Sequence, residues 1–183
     1  MQTIKTNFFF LVAIVLAICV ASCAKQPKEE NFIPTENAFT NDAHYIDPET
    51  ALLSDGFEVC YEDYILQYYN PEHATYSEGK NGLRNFILSN YTNNNYTDSG
   101  YLNIRFVINC KGEAGRYVIH ENDLDLAPKT FTKELKDQLF KLTTELKEWN
   151  PNLITGENGS AYYDTYMYIS YRIENGNITE ILP

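Results

Sequence analysis

The sequence predicts an α+β fold: a small antiparallel sheet of three to four strands with two helices on one face. Three observations carry this expectation. Between Tyr101 and Cys110 the chain alternates, with Leu102, Ile104, Phe106, Ile108 and Cys110 on one side and Tyr101, Asn103, Arg105, Val107 and Asn109 on the other, which is the period of a half-buried strand. From Phe131 to Trp149 the apolar residues Phe131, Leu135, Leu139, Leu142, Leu146 and Trp149 recur at steps of three and four, the spacing of a helix with one buried stripe. Alternation then returns in the aromatic run Tyr162 to Ile173.

Taken in order, the N-terminus MQTIKTNFFFLVAIVLAICVASCAKQ has one early cation, Lys5, and an uncharged apolar run from Phe8 to Val20. That is the layout of a secretory signal, and the run is short of the roughly 20 residues a spanning helix needs. Val20-Ala21-Ser22-Cys23 resembles a bacterial lipobox, which implies cleavage before Cys23 and acylation of its thiol. Residues 1–22 are then the signal, and Cys23 tethers the mature chain to a membrane through two or more acyl chains. Ala24, in place of the Asp of inner-membrane lipoproteins, implies the outer membrane. The periplasmic face is favoured, with surface display the alternative suggested by Lys28-Glu29-Glu30.

Residues 23–55 are rich in Pro, Asn, Glu and Asp and read as a flexible tether. Residues 56–73 hold the aromatic segment FEVCYEDYILQYYN, which packs on the domain as a strand or a short helix. Residues 74–183 form the domain. There Leu83, Phe86, Ile87 and Tyr91 mark one stripe of a first helix, and Lys111-Gly112-Glu113-Ala114-Gly115 turns the first long strand into a partner from Gly115 to Asn122. The leucine-rich helix of about five turns ends at Asn150-Pro151, because proline disfavours helical geometry in the residue before it. In the third strand Tyr163, Thr165, Met167, Ile169, Tyr171 and Ile173 face one way, and Tyr162, Asp164, Tyr166, Tyr168, Ser170 and Arg172 the other. Asn175-Gly176 makes a tight turn into a last strand carrying Ile178 and Ile181.

From about residue 74 onward the chain resembles the TonB C-terminal domain and its relatives. Gly100, Leu102, Ile104, Phe106, Ile108 and Gly112 fit that family's first strand. Trp149, Pro151, Gly156 and the aromatic strand fit its W-x-P…G…Y signature, and Tyr76, Gly79, Leu83 and Phe86 match a segment that precedes the domain in envelope relatives. The resemblance implies a partner-docking domain that accepts a guest segment as an extra strand beside its third strand. The chain departs from the family in having no retained membrane-spanning helix and no long Pro-rich spacer, and Thr97 follows Tyr96 where the family has proline.

Composition excludes several classes of function. The 14 cations and 25 acids give a formal charge of -11, and loss of Lys5 with the signal makes it -12. Such a chain repels phosphate backbones, so no nucleic-acid partner is expected. His44, His73 and His120 are scattered, with no HExxH or CxxC, so no metal and no cofactor are expected. No GxSxG or phosphate-cradling loop occurs, and Asp123 and Asp125 suit a helix start better than acid-base work. Catalysis is not expected. Cys60 and Cys110 are the cysteines left over; they either pair outside the cytoplasm or remain buried thiols.

The expectation for function is therefore a non-enzymatic, lipid-anchored envelope protein that docks a protein partner, an outer-membrane transporter or an envelope complex. Tyr101, Arg105, Tyr166, Tyr168 and Arg172 are the candidate partner-binding residues, since Tyr and Arg dominate interface hot spots. Two rival readings remain: a lipoprotein that binds a small ligand or glycan on exposed tyrosines, and a purely structural, self-associating lipoprotein. The tyrosine face itself has a plain alternative, namely burial beneath residues 57–70.

Overall fold

The structure, a computed structural model, describes residues 45–69, 73–157 and 159–182. All of them belong to one compact unit, Ala38–Pro183. The signal, the lipid site Cys23 and the tether up to residue 44 lie outside the described residues.

The architecture is α+β. Its elements are β1 (Thr75–Tyr76), α1 (Gly79–Asn90), β2 (Gly100–Ile108), β3 (Ala114–Asn122), α2 (Lys133–Thr144), β4 (Trp149–Asn150), β5 (Asn152–Gly156), β6 (Gly159–Tyr163), β7 (Thr165–Glu174) and β8 (Asn177–Leu182). The main sheet is antiparallel with strand order β3-β2-β7-β8, and β1-β4 and β5-β6 are separate two-stranded pairs. Alternation in β2 does what its period demands. Leu102, Ile104, Phe106 and Ile108 are fully buried and share a core with Leu83 and Ile87 of α1 and Leu135, Leu139 and Leu142 of α2. Each such side chain contributes about 1.5–3 kcal/mol of burial. Among the described residues no helix is long and apolar enough to cross a membrane.

Two elements differ from the sequence expectation. The leucine-rich helix is shorter than the predicted Phe131–Trp149 span, because α2 stops at Thr144. The Thr143 hydroxyl lies 2.8 Å from the Leu139 carbonyl oxygen and 2.8 Å from the Tyr171 hydroxyl, pinning the last turn to the sheet. Leu146 and Trp149 lie beyond the helix yet stay buried, with the indole N–H donating to the Leu146 carbonyl at 2.9 Å. Asn150, ahead of Pro151, is extended and pairs with Thr75, as the residue before a proline prefers. Gly112, in its positive-φ turn, lets the Trp149 carbonyl approach to 2.4 Å of where a Cβ would stand.

The predicted third strand is really two strands. Asp164 interrupts it, β6 turns away to pair with β5, and only β7 joins the main sheet. Residues 45–66 cross the other side of that sheet as a strap that is neither helix nor regular strand. Leu52 and Tyr117 exchange two 2.8 Å backbone hydrogen bonds, and Leu66 bridges Thr165 in parallel. Ile46 and Ile65 of the strap form a second core with Val107 and Tyr166, supported by Ala51, Phe57, Val59 and Val118. Phe57 lies on Gly115, where a Cβ would meet the ring at 2.2 Å. The region from Tyr45 to residue 55, read as tether, is therefore part of the packed unit.

Candidate functional site

The register between β2 and β7 puts all five candidate residues on the face opposite the helices. Tyr101 pairs with Arg172, Asn103 with Ser170, Arg105 with Tyr168 and Val107 with Tyr166. The strap then divides this face. Tyr166 is only 5% exposed, sealed by Ile46 and Ile65, so it is a core residue and not part of an accessible partner surface. Tyr101, Arg105, Tyr168 and Arg172 remain partly exposed on the uncovered half. Arg172 is bound to Glu174 at 2.7 Å.

The uncovered half contains a hollow of about 560 Å³ that includes Asn103, Arg105, His120, Gln67, Tyr68 and Tyr168 in its lining. Tyr68 and Tyr168 form its wall, edge to face with centroids 4.4 Å apart. Burial and a hydrogen bond with Tyr68 push the Tyr168 phenol upward, keeping it neutral. The Ser170 hydroxyl donates to Asn103 Oδ1 at 2.6 Å, which fixes the amide so that its NH2 faces elsewhere. His120 stands opposite Asn103 on β3. Burial, and then the charge of Arg105, lower its pKa.

Reaching round the border of β7, a second cavity of about 360 Å³ includes Tyr68 and Tyr168 from one face and Tyr76, Leu83, Trp149 and Met167 in its lining. Tyr76 meets Trp149 edge to face at 5.4 Å. Its volume lies within the span of small-molecule pockets. A third aromatic group is exposed: Tyr61 and Tyr64 of the strap each lie 5.6 Å from Tyr163 of β6.

The border of β7 needs separate notice, because a guest strand was expected there. It is largely taken by the molecule itself. Tyr166 N–H donates to the Leu66 carbonyl at 2.8 Å, and Ser170 to Glu174 pair with β8. Only Met167 to Ile169 lie between those two partners, too short a stretch for a bound strand of ordinary length. The strand at that end of the main sheet is β8.

Of the two readings the sequence left open for Cys60 and Cys110 the structure shows the pair, while the hydrogen bonds that complete the latch of the strap went unforeseen. Cys60 and Cys110 are joined as a disulfide with Cα atoms 6.0 Å apart. Beside it Asp164, fully buried, accepts the N–H groups of Cys60 at 2.8 Å and Tyr61 at 2.7 Å on one oxygen, and of Cys110 at 2.8 Å on the other. Asn109 donates to the Glu58 carbonyl at 2.9 Å. Arg116, in a positive-φ bulge, binds Glu62 through two 2.7 Å contacts. For the hydrogen-bonded part of the latch the available signal was a lone carboxylate at 164 inside an aromatic strand pattern. Cys60, Cys110 and Asp164 place potential ligand atoms within 4.8 Å of one another. With the sulfurs bonded together and the carboxylate holding three N–H groups, their chemistry is that of a latch and not of a metal centre.

Compared with family models, curated proteins and solved structures, the chain finds no match.

Proposed function

We propose that this chain is a non-enzymatic, lipid-anchored envelope protein, similar to TonB C-terminal domains in its layout, that docks a protein partner on the uncovered half of its sheet. The observation that carries this reading is the juxtaposition of Tyr101 with Arg172 and of Arg105 with Tyr168 on the two central strands, partly exposed. Strands that pair on both sides hold such groups rigidly, so little ordering entropy is lost when a partner binds. Tyr and Arg together form the composition typical of interface hot spots. Docking then uses the sheet face, since most of the third-strand border is filled by Leu66 and β8. Cys23 supplies the lipid anchor and the outer membrane is the location proposed for it.

A photo-crosslinking amino acid placed at Tyr101 or Tyr168 in cells tests this. The expected result is one common adduct from both positions, absent when the crosslinker replaces Lys141 on the exposed side of α2. Adducts of equal yield from all three positions would count against the face as a docking site.

The cavity beside Trp149 favours a second reading, a small apolar ligand held among aromatic rings. Trp149 is the only tryptophan in the chain, so its fluorescence reports occupancy directly. Screening aromatic and aliphatic compounds against that signal separates the readings, and a flat response across the screen removes this one.

A further inference from the structure

The latch that closes the strap also bears on how its disulfide reacts. Cys60 and Cys110 are bonded to each other and both are half-buried, so packing alone does not seal them from small thiols. Beside them lies a fully buried carboxylate: an oxygen of Asp164 is within 4.8 Å of both sulfurs. We infer that Asp164 is an electrostatic guard of this disulfide, a fixed negative charge that slows its opening by thiols, and by anionic thiols most of all. The inference concerns the latch and stands apart from the docking face.

Opening by a monothiol runs in two exchanges. A thiolate bonds to one cystine sulfur as the S–S bond breaks, and the other sulfur leaves as a thiolate with the bonding pair. A second thiolate then attacks the mixed disulfide and releases the first sulfur in the same way. Two electrons pass from the reductant, which ends as its own disulfide, and the two protons it gave up end on Cys60 and Cys110. Each exchange therefore brings negative charge in with the attacker and leaves it on the departing sulfur.

Asp164 opposes both. Its charge repels the attacking and departing thiolates from a buried position, where screening is weak. It also takes up the backbone N–H groups of Cys60, Tyr61 and Cys110. Such donors, like nearby cations, are what make a sulfur a good leaving thiolate. The neighbouring charges do not offset the carboxylate. Arg116 is engaged by Glu62 at 2.7 Å, and Lys111, next to Cys110, is exposed, where solvent screens it. Glu58 and Asp63 add further acids on either side of Cys60. The consequence is a strap that stays shut in the presence of thiols, with Ile46 and Ile65 kept against Val107 and Tyr166.

Reduction of the full chain by cysteamine, a cationic thiol, and by 2-mercaptoethanesulfonate, an anionic one, tests this. Rates are read by quenching with iodoacetamide and mass spectrometry of the peptides that carry Cys60 and Cys110, each divided by the reagent's thiolate fraction. The parent is expected to favour the cationic thiol, and Asp164→Asn to lower that preference at least about threefold, chiefly by speeding the anionic reagent. Glu134→Gln, in the first turn of α2, makes the same change in net charge away from the cystine and should leave the preference as it is. A loosened strap in Asp164→Asn speeds both reagents alike, so an unchanged preference in that variant, whatever its absolute rates, overturns the inference. An equal fall in Glu134→Gln assigns the effect to net charge and overturns it too. The urea-unfolded parent provides a check that needs no variant: the preference should fall once Asp164 has left the cystine, and equal values for the folded and unfolded chain also overturn the inference.

Discussion

Asp164 and Cys60, 104 positions apart in sequence, are joined by a 2.8 Å hydrogen bond from the cysteine N–H to the aspartate carboxylate. The same carboxylate also holds Tyr61 and Cys110. One buried side chain therefore ties the strap to the β2-β3 turn and to the start of β7.

Removing that carboxylate should loosen the strap more than removing any other single hydrogen-bonding side chain on it. Asp164→Ala leaves three N–H groups without their acceptor, and a buried unsatisfied donor costs about 1–3 kcal/mol. The expected loss is about 3 kcal/mol or more, read from urea unfolding at neutral pH. A denaturation midpoint equal to that of the parent chain would mean the three donors find other acceptors, and the latch assignment would fall.

The disulfide closes a loop with a sequence separation of 50, for which the chain-entropy estimate is about 4 kcal/mol. Replacing both Cys60 and Cys110 by Ser should lower stability by up to about that amount. Dithiothreitol should lower the parent chain similarly and leave the double variant unmoved. Identical urea curves for the parent with and without reductant would count against a closed loop.

Tyr166 and Tyr168 are two residues apart on the same face, yet their substitutions should have different consequences. Tyr166→Ala empties a sealed core position and should cost about 3–5 kcal/mol, as for other large aromatic-to-alanine changes. Tyr168→Ala removes a partly exposed ring and should cost less, while reducing partner crosslinking. Thermal denaturation beside crosslinking yield checks the pair. Equal destabilisation by both would contradict the division of the face by the strap.

Alkaline pH offers a check on the turn that packs against α1. The Tyr91 hydroxyl donates to the Gly176 carbonyl at 2.6 Å, and burial raises its pKa to about 12. Because the folded value lies above the unfolded one, near 10, the stabilisation is fully present below about pH 10. It is lost as pH rises from there through about 12. Tyr91→Phe should remove one late step from the ultraviolet phenolate titration and flatten part of the alkaline loss of stability. A titration unchanged by the substitution would remove Tyr91 as its source.

The elements legible in the sequence were those whose periodicity comes from packing on one continuous core. Alternation in β2 and the leucine stripe of α2 both face the same buried layer, so their spacing showed their partner. The limits of α2 were illegible because Leu146 and Trp149 keep the helical spacing while the backbone has already left the helix. The break at Asp164 was hidden for a similar reason: tyrosines alternate in phase on either side of it, although β6 and β7 belong to different sheets. The far-face residues were placed on one side correctly, but which of them stay accessible depended on the strap. That segment packs by scattered side chains such as Ile46, Phe57 and Ile65, which leave no period to read.

The cystine also decides how this unit bears mechanical load. Any pull applied to the backbone ahead of Tyr45 first strains the Leu52–Tyr117 bridge and then reaches Cys60, where a covalent bond passes it directly into the end of β2. Tension entering at Tyr45 can peel the leading section of the strap and go no further, so the sheet keeps its shape under load.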